Sequence, residues 1–125
     1  MDENEISYKI RGPIFKVFNS FGPGLLESVY VAALASELRK EGLSVRKEVA
    51  VPVIFNNEKL EVGFRMDLLI QEKVLIEVKS IEAIAPVHHK QTLTYLKLTG
   101  LKLGILVNFN VDNIIEGIPR KINEL

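Results

Sequence analysis

Residues 64–81 read FRMDLLIQEKVLIEVKSI, two apolar runs joined by the polar triplet Gln71–Lys73. Each run alternates between two faces, as side chains along a β-strand do. A turn of odd length centred on Glu72 matches the apolar faces of the two strands, whereas a one-residue slip would place apolar side chains where the charges are. The stretch therefore predicts a β-hairpin in which Asp67 lies directly opposite Glu77.

The two faces of this hairpin differ in chemistry. The predicted apolar face carries Phe64, Met66, Leu68, Ile70, Val74, Ile76 and Val78, and the other carries Arg65, Asp67, Leu69, Leu75, Glu77 and Lys79. Directly opposed carboxylates destabilise a sheet, and a divalent cation removes that conflict. The pair therefore suggests a Mg²⁺ site, with the Lys79 ammonium beside it. Two alternatives are a solvated strand face and a cross-strand ion pair between Arg65 and Glu77.

Composition limits the class of protein. The 125 residues suit one domain over 1–125, and 47% hydrophobic with 26% charged residues is typical of a folded globular chain. Sixteen basic residues balance sixteen acidic ones, which argues against avid, non-specific nucleic-acid binding. No apolar run approaches the roughly 20 residues that span a bilayer. The acidic start MDENEISYKI is unlike a signal peptide, and the absence of cysteine weakly favours the cytoplasm.

Periodicity and turn residues predict the order helix, helix, three strands, helix, strand. The expected helices cover 5–21, with a kink or break at Gly12-Pro13, 25–40, and 86–99, the last running from Pro86 at N1 to Gly100. The expected strands cover 43–55, 59–70, 74–81 and 101–109, with turns at 56–58 and 71–73 and a short strand or turn near Ile122. This order predicts an α/β fold with one mixed sheet flanked by helices.

Glu27 is a third carboxylate of interest. Its helix has an apolar stripe of Leu26, Val29, Tyr30, Ala33, Leu34 and Leu38, on which Glu27 also falls. If Gly24 is the N-cap, Glu27 is at N3, where a glutamate favourably meets the helix dipole. Spacing alone favours this capping role over a ligand role.

The late helix carries polar residues on one face. His88, Gln91 and Tyr95 follow i, i+3, i+7 spacing, so Gln91 and Tyr95 could bond to a carboxylate or phosphate. The alternative is that Tyr95 is an aromatic core residue bordered by Gln91. A histidine metal site is disfavoured, because His88 and His89 are adjacent and point to different helix faces.

These segments together resemble a known family. The stretch GPGLLESVY resembles the signature of the GxxExxY proteins, with Gly24, Glu27 and Tyr30 at its named positions. The resemblance continues through FRMDLLI, the segment IEVKSIEAIAPVHHKQTLTYLKLTGLKLGILVNFN, and GIPRKIN. That family is placed in the PD-(D/E)xK nuclease superfamily, so the resemblance implies an αβββαβ restriction-endonuclease-like core.

The resemblance also implies roles for individual residues. Asp67, Glu77 and Glu27 correspond to the metal-binding carboxylates, and Lys79 completes the E-x-K element. Gln91 and Tyr95 resemble the Q-x-x-x-Y element of the RecB-like branch. Met66 stands where many members have proline.

The function implied is Mg²⁺-dependent hydrolysis of nucleic acid, with Mn²⁺ as a substitute and DNA favoured over RNA as the substrate. The alternatives are an inactive nuclease-fold module that binds nucleic acid or protein, and a structural domain whose charges pair internally. We expect weak, sequence-independent binding, aided by a homodimer or a targeting partner. Seven basic residues could contact phosphates, but together they offer only modest binding capacity: Arg39, Lys40, Arg46, Lys47, Lys90, Lys97 and Lys102.

Overall fold

The fold was analysed in a computed structural model, which describes residues 1–60, 63–118 and 120–122. The helices are α1 (Glu3–Phe21), α2 (Glu27–Lys40) and α3 (Pro86–Thr99), with a 3₁₀ helix at Ile114–Gly117. The strands are β1 (Val45–Ala50), β2 (Val53–Phe55), β3 (Glu58–Leu60), β4 (Arg65–Ile70), β5 (Val74–Lys79), β6 (Leu103–Asn108) and β7 (Arg120–Ile122). No helix within the described ranges is long and apolar enough to cross a membrane.

Five strands form one mixed sheet in the order β1-β4-β5-β6-β7. β5 and β6 are parallel and joined by α3, while the other neighbours are antiparallel. A parallel pair needs such a crossover, because a tight turn can only reverse the chain. β2 and β3 form a separate hairpin. The predicted α/β restriction-endonuclease-like architecture, a mixed sheet flanked by helices, is confirmed.

Helices cover both faces of the sheet. α1 and α2 pack on one face against a core that includes Leu68, Ile76 and Ile105. On the other face Leu69, Leu75 and the α3 residues Tyr95 and Leu96 form a smaller cluster. β6 is buried along its whole length, as its continuous apolar sequence indicates.

Two strands predicted from the sequence are each divided, and one predicted helix is continuous. Of the kink or break predicted at Gly12-Pro13, the break is absent: α1 continues through Pro13, because burial of Ile10, Ile14 and Val17 outweighs the roughly 3 kcal/mol cost of one internal proline. The predicted strand 43–55 divides into β1 and β2 around Pro52, which has no amide hydrogen for a ladder. The predicted strand 59–70 divides into β3 and β4, and residues 61 and 62 between them lie outside the described part of the chain.

The predicted alternation along β4 also fails at one end. Met66 packs with Leu69 and Tyr95 rather than with Leu68, and its β1 partner Val49 packs on the same side. The adjacent β1 residue Glu48 has φ of +52°, a left-handed conformation that interrupts the regular strand. Phe64 likewise lies beside Tyr95, with ring centroids 5.8 Å apart. The side chains of Phe64 and Met66, at this end of the hairpin, therefore pack on the α3 side of the sheet.

Candidate active site

The β4–β5 hairpin opens where its two carboxylates meet. The ladder pairs Ile70 with Val74 and ends at Leu68 with Ile76, directly before Asp67 and Glu77 are reached. The predicted register and the turn centred on Glu72 are confirmed over this ladder. Beyond the ladder, Oδ2 of Asp67 accepts a 2.7 Å hydrogen bond from the Val78 amide. Oε1 of Glu77 in turn accepts a long, 3.4 Å bond from the Asp67 amide.

Burial and mutual repulsion dominate the electrostatics of this pair. Glu77 is only 6% exposed. Burial, followed by the nearby charge of Asp67, raises the pKa of Glu77 to about 9. Burial also raises the pKa of Asp67, against the lowering effect of the bond from Val78. Two close carboxylates cannot both ionise cheaply, so at neutral pH the pair retains a proton.

Lys79 is the last residue of β5 and is half-buried. Its positive charge lowers the pKa of both Asp67 and Glu77. The ion pairs found in the described ranges do not include Lys79, so its ammonium can meet an incoming anion. The alternative pair of Arg65 with Glu77 does not form, since Arg65 donates to the main-chain oxygen of Glu48.

Glu27 reaches the site from α2. The predicted N-cap at Gly24 is wrong: Leu26 is the N-cap, and Glu27 is the first helical residue. Gly24 instead belongs to the preceding loop, where its φ of +101° requires a residue without a Cβ. Oε2 of Glu27 accepts a 3.1 Å bond from the Ser80 amide, and the Glu27 charge contributes to the raised pKa of Asp67. The fold thus brings Glu27 to the carboxyl end of β5.

Gln91 and Tyr95 approach from α3, the helix whose predicted ends at Pro86 and Gly100 are confirmed. The Gln91 amide donates to the Tyr95 hydroxyl at 2.7 Å. Burial raises the pKa of Tyr95, and the charges of Glu77 and Asp67 add to the effect. Tyr95 is a buried core residue, as the core alternative expected.

The sequence matches a family model over residues 4–121, nearly the whole chain. The chain belongs to the PD-(D/E)XK nuclease superfamily. No curated protein matches it. The crystal structure of SSO0001 is similar in fold, with a TM-score of 0.60 and 26% identity over 79% of this chain. The match covers 51% of the SSO0001 chain, so this chain spans about half the length of that structure.

Members of the PD-(D/E)XK nuclease superfamily generally use divalent metal ions. The carboxylates of Asp67 and Glu77 fit such an ion, because both are hard oxygen donors and a hydrogen bond from the Asp67 amide to Glu77 links the two residues. As the side chains stand in the described ranges, no group of three or more His, Asp or Glu residues could hold a metal. The Glu27 carboxylate accepts a hydrogen bond from the Ser80 amide.

Sequence reasoning missed Ser80 and Asn108, which shape the end of β5. Asn108 is 2% exposed and lies beside Lys79 in the parallel ladder. Its Oδ1 accepts from the amides of Ile81 and Asn110, each at 3.1 Å, and its Nδ2 donates to the Ile81 oxygen at 2.9 Å. Asn108 therefore holds the chain directly after Lys79 and Ser80. A polar residue closing the apolar run LKLGILVNF was the available signal.

One further cavity lies away from these groups. A groove of about 450 Å³ between α1 and the 3₁₀ helix is lined by Ser7, Arg11, Ile105 and Ile115, among others, and contains none of the site carboxylates. Despite its size, the groove has no part in the proposed chemistry, because that chemistry requires the charged end of the β4–β5 hairpin. His88 is also outside the site chemistry, since its Nδ1 accepts the Ala85 amide at the start of α3.

Proposed function

We propose that this protein is a Mg²⁺-dependent nuclease that hydrolyses phosphodiester bonds of DNA or RNA, with DNA as the favoured substrate and Mn²⁺ as an alternative ion. The observation that carries the proposal is the buried meeting of Asp67 and Glu77, with the Lys79 charge beside both. A structural role alone gives no reason to bury two like charges, because ordinary packing avoids that cost.

Each residue has a distinct proposed role. Asp67 and Glu77 would hold the cation, with Glu27 as a further ligand when its carboxylate leaves Ser80. The ion, when bound, would activate a water molecule and neutralise charge on the phosphate. The Lys79 ammonium would orient the attacking water or stabilise the negative charge that develops on the phosphate. Gln91 and Tyr95 would fix the neighbouring carboxylates or a backbone phosphate by hydrogen bonding.

We further propose that the chain is a single nuclease domain over 1–125, in the GxxExxY group and the RecB-like branch. Support for the first assignment comes from Gly24, Glu27 and Tyr30, and for the second from the bond between Gln91 and Tyr95. The absence of cysteine supports a cytoplasmic location.

A homodimer or a targeting partner is part of the proposal, because several basic residues are already engaged within the chain. Arg46 pairs with Glu72 at 2.9 Å, Lys40 pairs with Glu37 at 3.3 Å, and Arg39 donates to a main-chain oxygen. Three of the seven basic residues named for phosphate contact are engaged in this way, so added surface from a second copy or another protein would strengthen substrate binding.

An inactive nuclease-fold module that binds nucleic acid or protein is the second candidate. It is favoured by one observation, that the residues described in the structure contain no three-ligand metal cluster. Against it, a binding role has no need of the costly carboxylate pair.

Cleavage assays separate the two candidates. Purified protein would be incubated with single-stranded, duplex and branched DNA and with RNA, in Mg²⁺, Mn²⁺ or EDTA. We expect metal-dependent cleavage that Asp67→Ala and Lys79→Ala each reduce by roughly 100-fold or more. Lys9→Ala, at an exposed position on α1, is the matched control and should retain activity. Cleavage that persists in EDTA or in both site variants would falsify the mechanism, and metal binding without cleavage would support the module.

A further inference from the structure

Leu26 is exposed at a position where a polar residue would serve the fold better. The sequence pattern predicts Leu26 in the buried stripe of α2, but the side chain is 75% exposed. It occupies the N-cap of α2 and makes no side-chain capping bond there. A serine or aspartate at this position would contribute about 1 kcal/mol through such a bond. Neither packing nor capping therefore accounts for leucine.

The main chain around Leu26 is attached to the candidate active site. The Leu25 oxygen accepts a 2.6 Å bond from the Ser80 hydroxyl, and the Glu27 carboxylate accepts the Ser80 amide at 3.1 Å. Ser80 directly follows Lys79 in the chain. Leu26 is thus flanked on both sides by residues bonded to the neighbour of Lys79, so its main chain lies beside the candidate site.

Tyr30 holds the loop that precedes α2 by hydrogen bonds to Gly22 and Leu25. The Tyr30 hydroxyl donates to the Gly22 oxygen and accepts from the Leu25 amide at 3.1 Å. The ring is fully buried and stacks on Phe109, with centroids 4.5 Å apart. A loop held at both ends in this way can present an apolar side chain in a fixed position.

Other exposed apolar side chains lie within five residues of Leu26 in the chain. We call this set the apolar ledge: Phe21 (48% exposed), Leu25 (36%), Leu26 (75%) and Val29 (38%). Glu27 is the ionisable group within this segment, and its carboxylate is directed to Ser80. The ledge therefore offers no cation to a phosphate.

The chemistry of a nucleic acid then identifies what the ledge would contact. Backbone phosphates require cations, whereas the faces of the bases are apolar. Proteins insert Leu, Phe, Ile or Met side chains between base steps, at a cost of a few kcal/mol per step for unstacking. An exposed leucine at the border of a phosphodiester site matches that use.

We propose that Leu26 is a wedge that contacts the base next to the cleaved phosphodiester of paired DNA and unstacks it. This inference rests on the proposed nuclease function. Leu26 would act as a positioning residue: by displacing the base, it bends the strand so that the adjacent phosphate can approach Asp67, Glu77 and Lys79.

Leu26→Ser tests the wedge without harming the fold. Serine restores an N-cap side chain, so the thermal midpoint should rise or stay unchanged. Ile115→Ser is the matched control, since Ile115 is 67% exposed on the 3₁₀ helix. We expect Leu26→Ser to slow single-turnover cleavage of a fully paired duplex by roughly tenfold or more, with a much smaller effect on a duplex containing a two-nucleotide mismatch at the cleavage position. An equal effect on both duplexes, or none on either, overturns the proposal.

A fluorescence measurement separates failure of the wedge from failure of the nuclease. Duplexes carrying 2-aminopurine at successive positions would be saturated with protein in EDTA, where no turnover is needed. We expect the wild-type protein to raise the 2-aminopurine fluorescence at one position and Leu26→Ser to leave that fluorescence unchanged. Fluorescence anisotropy should show that the two proteins bind the duplex with similar affinity. Brightening without any cleavage in Mg²⁺ supports the wedge and refutes the nuclease. Cleavage without brightening, or equal brightening by both proteins, refutes the wedge.

Discussion

The Val78 amide donates to the Asp67 carboxylate at 2.7 Å, although the register of the hairpin would direct it toward Met66. A side chain has replaced the main-chain acceptor at this point, so the ladder ends and the strands separate. The exchange keeps the Val78 amide satisfied while it holds the Asp67 carboxylate beside Glu77. One hydrogen bond therefore couples the end of a β-ladder to the placement of a candidate metal ligand.

The ionisation of Glu77 should make the metal-free protein less stable as pH rises. Its pKa is about 9 in the folded chain and near the ordinary glutamate value of 4.5 when the chain is unfolded, so the folded state binds more protons between these values. Stability is then lost progressively as pH rises from about 4.5 to about 9. Glu77→Gln mimics the protonated form and should stabilise the protein at pH 8 by on the order of 2 kcal/mol.

Urea unfolding in EDTA between pH 5 and pH 9 measures this effect. At pH 5 the wild type keeps its proton and should differ little from Glu77→Gln, which makes that point an internal control. Parallel stability curves for the two proteins across the range would show that Glu77 ionises freely in the folded state.

Metal binding should strengthen as pH rises over the same window. A bound divalent ion requires ionised carboxylates, and the raised pKa of Glu77 means that a proton must leave first. We expect Mn²⁺ affinity to increase by about tenfold per pH unit where one proton is displaced. Calorimetric titrations in buffers of different ionisation enthalpy count that proton. Glu77→Gln has no such proton to release, and a pH-independent affinity in the wild type would contradict the expectation.

Removal of the Tyr30 hydroxyl should loosen the loop that carries Glu27. Tyr30→Phe keeps the ring stacked on Phe109 but leaves the Gly22 oxygen and the Leu25 amide without this partner. The expected loss is about 1–3 kcal/mol in the free energy of unfolding, together with faster hydrogen exchange at Leu25. Tyr8→Phe is the matched control, because Tyr8 is 74% exposed. Equal effects of the two substitutions would remove any special role for the Tyr30 hydroxyl.

Asn108 should stabilise the chain segment that follows Lys79. Asn108→Ala removes three hydrogen bonds, to the amides of Ile81 and Asn110 and to the Ile81 oxygen. We expect a loss of about 2–3 kcal/mol in unfolding free energy and increased exchange of the Ile81 amide. Asn108→Asp keeps the acceptor and loses the donor. The exchange rate of the Ile81 amide in this variant should therefore lie between those of the wild type and Asn108→Ala. An unchanged Ile81 exchange rate in Asn108→Ala would show that other contacts hold this segment.

Short-range chemistry made much of the hairpin and of α3 predictable. The turn at Gln71–Lys73, the register that follows from it, and the helix ends at Pro86 and Gly100 each depend on residues a few positions apart. The same local reasoning misplaced the N-cap of α2 at Gly24 instead of Leu26, because the bond from the Tyr30 hydroxyl to Gly22 spans eight residues and fixes the loop in another conformation.

By itself, the sequence determined the order of the three helices and of the strand regions between them, the register of the β4–β5 hairpin and the position of Lys79, since strand alternation and turn length follow from the covalent chain. Only the tertiary structure decided that Glu27 would meet Ser80, 53 residues later, and that Asn108 would hold Ile81. It also decided that Leu26 would lie exposed beside the site rather than in the core. These outcomes depend on how α2 and β6 pack against the end of β5, and contacts between distant segments leave no periodicity in the chain.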